Sequence, residues 1–168
     1  MIKKHSGIFT LAKDQFLNTD LDTAWEFFSS PKNLSFITPA YMGFKITSET
    51  EEKMYPGQII TYRIGLLPFL KTNWVTEITH VKEKEYFVDE QRAGPYKIWH
   101  HEHFFEKKEN KVFIKDKITF KLPLGFAGNI AYHLFIKKEL IKIFEYRFNK
   151  LEKIFNNKNH NFSSHKNI

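Results

Sequence analysis

Apolar residues along this chain keep two different spacings, and the switch between them divides the sequence. Residues 6–17 place Ile8, Phe9, Leu11, Phe16 and Leu17 among polar neighbours, which predicts a first strand. Asp20 then sits where a helix N-cap belongs, with Asp22 in the first turn. Leu21, Ala24, Trp25 and Phe28 follow the i, i+3, i+4, i+7 rule, so residues 21–29 form an amphipathic helix that Ser30-Pro31 ends. Leu34 and Ile37 mark a second short helix, closed before Pro39. From Gly43 the spacing falls to two, and strands are expected at 44–50, 58–64, 73–82, 85–92, 96–106 and 111–122. On the third of these, Trp74, Thr76, Ile78 and His80 share a face.

The links Glu83-Lys84, Gly94-Pro95 and 107–110 are short, as antiparallel neighbours require. After Pro123 and Gly125 a helical stripe returns: Ala127, Ile130, Leu134, Ile141, Phe144, Phe148, Leu151 and Phe155. A helix of about thirty residues is long for a small domain. It is the one element able to cover a face of the sheet. The expectation is an α+β fold: a seven-stranded curved antiparallel sheet around a long C-terminal helix, with two short helices after strand 1. Residues 1–155 make one domain, and 156–168 a polar, disordered tail.

Alternation also says which side chains point inward. Val112, Ile114, Asp116, Ile118 and Phe120 share the apolar face of the last strand, with one carboxylate among them. The preceding strand carries Trp99, His101, His103 and Phe105 on its corresponding face. Pairing Glu106 with Lys111 sets Phe105 opposite Val112, His103 opposite Ile114 and His101 opposite Asp116, with Glu102 opposite Lys115 outside. A one-residue slip would bury lysines, so parity is fixed although register can move by two. The Gly94-Pro95 hairpin brings Gln91 near Trp99 and Asp89 near His101. Three strands then present Asp89, His101 and Asp116 in one inward row. Buried carboxylates need partners, and a histidine between two of them would be held cationic. Such a row can fix strand register, orient a ligand, or do acid/base work. His101-x-His103 has a chelating spacing, but nothing else in the sequence supports a metal, so neither metal nor cofactor is expected. Three links at the end where the last helix begins are apolar for loops, and Leu66, Leu67, Phe69, Leu124 and Phe126 would rim a cavity mouth there.

Composition narrows the classes. The 168 residues are 42% apolar and suit one domain. There is no cysteine, which excludes disulfides and thiolate chemistry and fits a cytoplasmic setting. No secretory leader is visible in residues 1–15, and the uncharged run 122–136 is too short to cross a bilayer. The charge of +7 rests on lysine, with Arg63, Arg92 and Arg147 the only arginines. Nucleic-acid readers lean on arginine forks, so no nucleic-acid partner is expected. The 18 Phe, 7 Tyr and 3 Trp exceed what closes a core of this size, and the surplus could line a cavity.

The stretches SGIFTL, LDTAWEFFSSPKNLSFITP, WVTEITHV, YFVDEQRAGPYKIWHHEHFFE, KDKITFKLPLG and KKELIKIFEYR resemble the SRPBCC superfamily of START-like, birch-pollen-allergen-like and polyketide cyclase/dehydrase-like domains, and within it a bacterial subgroup. Trp74, Asp89, Gln91, Pro95, Trp99, His101, His103 and Asp116 stand at positions of its pattern. The resemblance implies the helix-grip fold, with a cavity for a hydrophobic molecule between sheet and helix. The residues and the resemblance together leave three functional expectations. The first is binding of a small hydrophobic ligand such as a lipid, isoprenoid or polyketide. Tyr62, Trp74, Trp99, Phe120 and Leu134 would form the walls, and Asp89, Gln91, His101, His103 and Asp116 the polar anchor. The second is a cyclase or dehydratase using His101 with Asp116 or Asp89. The third is transient docking on a membrane or partner through the apolar rim. Fold alone does not choose among them.

Overall fold

The computed structural model describes residues 2–49, 51, 53–67 and 70–157, without the side chains of Leu66, Leu67, Leu70, Phe126, Ala127 and Asn129. Strands β1 (Ile2–His5) and β2 (Ile8–Leu17) form a hairpin whose turn places both Ser6 and Gly7 at positive φ. Helix α1 (Leu21–Ser29) follows, then 3-10 turns at Pro31–Ser35 and Ala40–Met42. The remaining strands are β3 (Lys45–Ile46), β4 (Ile59–Leu67), β5 (Leu70–Lys82), β6 (Tyr86–Ala93), β7 (Ile98–Lys108) and β8 (Lys111–Lys121). The C-terminal helix runs through α2 (Gly125–Ala131), a π-turn (Tyr132–Ile136), α3 (Lys137–Leu151) and a second π-turn (Glu152–Asn156).

Among the described residues the eight strands lie in one antiparallel sheet, in the order β1-β2-β8-β7-β6-β5-β4-β3, curved around the C-terminal helix. The eighth strand is β1, which alternation does not announce because Lys4 stands opposite the inward Phe9, where an apolar residue would be expected. β3 is shorter than the expected 44–50.

Each element forms for a local reason. The Asp20 carboxylate caps α1 by accepting from the Thr23 backbone N–H at 2.9 Å and from its hydroxyl at 2.8 Å, a cap of about 1 kcal/mol. Helix α1 buries Ala24, Trp25 and Phe27, and Trp25 meets Phe87 and Phe105 edge-on. Leu151 closes this cluster from the C-terminal helix. A second cluster joins Phe9, Ile118 and Phe120 of the sheet to Tyr132, Leu140 and Phe144. Much of the aromatic surplus is therefore core, each fully buried Phe contributing about 1.5–3 kcal/mol.

Parity holds in β7 and β8, and register moves by two. Lys108 pairs with Lys111 across a two-residue turn, not Glu106 with Lys111 across four. Glu109 takes a left-handed conformation and permits the tighter turn. His103 thus faces Asp116, His101 faces Ile118, and Phe105 faces Ile114. Outside, Glu102 pairs with Lys117 at 2.7 Å, not with Lys115. In β5 a bulge between Ile78 and His80 turns His80 out to solvent, away from the face of Trp74, Thr76 and Ile78.

Candidate functional site

Between the sheet and α3 lies a cavity of about 160 Å³. An apolar void of ~150 Å³ takes up one benzene-sized ring, so the chamber suits a small molecule. Its floor comes from β4 to β7: Tyr62 and Ile64, Trp74 and Thr76, Phe87 and Asp89, Trp99, His101 and His103. Leu140, Ile143, Phe144 and Arg147 descend from α3. Leu34, Ile37, Met42 and Phe44 cover it from the stretch after α1. The described cover is thus the 3-10 segment and its flanks, while most of the loop end that the sequence named as a mouth lies outside the described side chains.

One wall is ionisable. His103 Nδ1 lies 2.6 Å from Asp116 Oδ1 and its Nε2 3.1 Å from Asp89 Oδ2, so both ring nitrogens meet carboxylates. Arg147 Nη1 donates to the other Asp116 oxygen at 3.0 Å. His101 lies beside His103, ring centres 3.9 Å apart and planes tilted by 41°. Its Nδ1 is 3.4 Å from Asp89 Oδ2, and its Nε2 is buried with no hydrogen-bond partner, 3.9 Å from Asp116 Oδ1. The residues form a chain of contacts, Arg147–Asp116–His103–Asp89–His101, that starts on the helix and ends at the cavity.

Electrostatics separate the two imidazoles. Burial pushes His101 down to about 3, and the charge of His103 beside it adds to the effect, so His101 is neutral at neutral pH. Burial opposes charge on His103 too, but Asp116 and Asp89 outweigh it and raise its pKa, making it the cation. Against their own desolvation, Asp116 is held low chiefly by His103 and Arg147, and Asp89 by the two histidines. Two like side chains in contact thus hold opposite protonation states, a pattern that assigns acid and base roles in reactive sites.

Asp89, His101 and His103 also place three donor atoms within 4.8 Å of one another, the one such group among the described residues. These are donors a divalent transition ion accepts. His103 already meets carboxylates through both nitrogens, so an ion would have to displace a proton and open the Asp89 contact.

Of the residues read from the sequence, Tyr62, Trp74, Asp89, Trp99, His101 and His103 come together on the cavity. Asp116 stands behind His103 and supports it. Gln91 does not reach the cavity: its amide donates to the Tyr96 carbonyl at 2.6 Å and accepts from the Tyr96 N–H at 3.1 Å, bracing the Gly94-Pro95 turn. Phe120 is fully buried in the second core cluster. Leu134 is 62% exposed, because the π-turn carries the buried line through 128, 132, 136 and 140. Leu124 is 80% exposed and does not line the cavity; Phe69 and the side chains of Leu66, Leu67 and Phe126 lie outside the described residues, as does the tail from 158. Arg147 was missed, yet it left a signal. It sits three residues after Phe144 and four before Leu151, a cation on the buried stripe.

Among the described residues no helix is long and apolar enough to cross a membrane. No family model matches the chain, and no curated protein does. Solved structures do. A protein from Arthrobacter aurescens superposes with a TM-score of 0.65 at 12% identity, covering 96% of this chain and 98% of that one. Ginseng major latex-like protein 151 from Panax ginseng gives 0.65 at 14% identity, covering 88% and 97%. Protein CV1439 from Chromobacterium violaceum gives 0.66 at 10% identity, covering 86% and 94%. At such identities the likeness is one of architecture, and the chain has the helix-grip fold.

Proposed function

We propose that this protein is an enzyme of the cyclase or dehydratase kind, moving a proton on a small, mainly apolar carbonyl compound held in the cavity. The observation that carries this reading is the pair His101 and His103: adjacent, buried, on the wall of an apolar chamber, one neutral and one cationic. His101 is the base. The C–H bond beside the carbonyl breaks, its proton passes to the imidazole, and the electron pair moves to the carbonyl oxygen. His101 has low proton affinity in the empty site. Enolate charge developing beside it raises that affinity as the proton arrives, and Arg147, on the cavity wall with its Nε–H buried and unpartnered, supplies a donor for the oxygen. Asp89, 3.4 Å from Nδ1, orients His101 and offsets the charge it acquires. Asp116 holds His103 from behind. The resemblance of the chain to the bacterial SRPBCC subgroup, whose superfamily includes polyketide cyclases and dehydrases, supports the same reading.

The reading is tested by deuterium exchange. The protein is incubated in D2O with a panel of one- and two-ring aryl ketones and β-diketones, and exchange beside the carbonyl is followed by mass spectrometry. Wild-type protein should exchange at least one member, with His101→Ala slower by about 10²- to 10⁴-fold. Equal rates in variant and wild type overturn the assignment. Activity lost to a chelator and restored by zinc gives the cluster to a metal ion instead. A co-purified hydrophobic molecule in native mass spectra, with no exchange on any compound, reduces the protein to a carrier.

A further inference from the structure

The π-turn at Tyr132–Ile136 has a consequence on the outside of the helix. It keeps Tyr132 and Ile136 turned inward, which leaves Leu134 and Phe135 between them facing water at 62% and 57% exposure. Ile130, one turn earlier and 45% exposed, lies in line with Leu134. Leu124, in the turn that enters the helix, is 80% exposed. Single exposed apolar residues are ordinary, but four within twelve positions at one end of one helix are not.

The next two turns of the helix are basic. Lys137, Lys138 and Lys142 lie on them, beyond the apolar group. The one acid among them, Glu139, is engaged by the Tyr41 hydroxyl. Lys142 Nζ stands 4.5 Å over the Tyr41 ring, and that ring is itself 53% exposed. Apolar side chains, an aromatic with a polar tip and a bank of lysines make the surface of an element lying in a bilayer interface.

We propose that the face made by Leu124, Ile130, Leu134 and Phe135, backed by Lys137, Lys138 and Lys142, docks on an anionic lipid bilayer. The apolar group enters the headgroup region and the lysines meet phosphates. The face adjoins the cavity: the Ala40–Met42 turn that shows Tyr41 outside sets Met42 on the cavity wall. Docking would bring an apolar ligand dissolved in the bilayer to the cover of the chamber. The proposal is independent of the chemistry assigned to His101.

Flotation with vesicles tests it on the full-length chain. Vesicles of equal parts phosphatidylcholine and phosphatidylglycerol should carry the wild-type protein upward, vesicles of phosphatidylcholine alone should not, and high salt should reverse binding. Leu134→Asp with Phe135→Ser should lower the bound fraction about tenfold, and Lys137→Glu with Lys138→Glu should abolish the preference for phosphatidylglycerol. None of these four side chains is part of the core, so circular dichroism and the thermal midpoint should not change. The proposal falls if wild type does not float, if the Leu134/Phe135 variant floats equally, or if lipid charge makes no difference. It falls equally if sedimentation finds a dimer that Leu134→Asp dissociates, because a second copy then covers the face.

Discussion

His101 and His103 sit two residues apart on one strand and differ in charge because of which atoms reach them. His103 lies between two carboxylates and gains more from them than burial costs it. His101 faces Phe144, Trp99 and its cationic neighbour, and its Nε2 finds no partner. The groups around it are His103 on β7, Asp89 on β6, Asp116 on β8 and Arg147 on α3. This gives a stability signature. Folded His101 titrates near 3, against 6.5 for the ordinary side chain. Below pH 6.5 the unfolded chain takes up a proton that the native protein refuses. The stabilisation present above 6.5 is therefore lost as pH falls toward 3. The thermal midpoint should decline across that window, and His101→Phe should flatten the decline between pH 6.5 and 4.5, before the carboxylates titrate. An unchanged slope in the variant would show that His101 is protonated in the native state.

At the level of elements, the helix entrance and the β7–β8 hairpin fix where the site lies. Helix α2 starts directly over the end of β8, and Gly128 meets it without a side chain. A Cβ there would overlap the Pro123 carbonyl oxygen and press on Leu122. Gly128→Ala should cost about 1–3 kcal/mol in urea unfolding, as the first helical turn is forced off the sheet. Gly57→Ala makes a useful contrast: open space surrounds it, and the φ of +89° is its only penalty. The hairpin is a case of sequence logic reaching its limit. Alternation set the inward faces of β7 and β8 correctly because one slip would bury lysines. It could not choose between registers two apart, since both bury the same residues. The left-handed Glu109 decides, and with it whether Asp116 serves His101 or His103.

In the whole molecule the aromatic residues divide between filling and leaving space. Phe9, Phe120 and Tyr132 pack solidly at one place, whereas Tyr62, Trp74, Tyr96 and Trp99 contact one another in a chain of rings that lines the cavity. If the space left is a functional chamber, filling it should remove function and spare the fold. Ile143→Trp, placed on the α3 wall, should abolish ligand recovery and exchange while the thermal midpoint stays level or rises; retained function would put the site elsewhere. The order of elements, the inward parity of the strands and the placing of Asp89, His101, His103 and Asp116 on one inward face were legible in the sequence alone, whereas the row that set Asp116 opposite His101 was not what formed. Those features depend on local periodicity, on the two-residue repeat of a pleated strand and on the cost of burying lysine. Tertiary structure decided the rest: which carboxylate meets which histidine, the entry of Arg147, the outward turn of Leu134, and the hollow itself. Each depends on distances between segments far apart in the chain, set when a bulge, a left-handed turn residue or a π-turn shifts one surface against another by a residue or two, and no local pattern records that displacement.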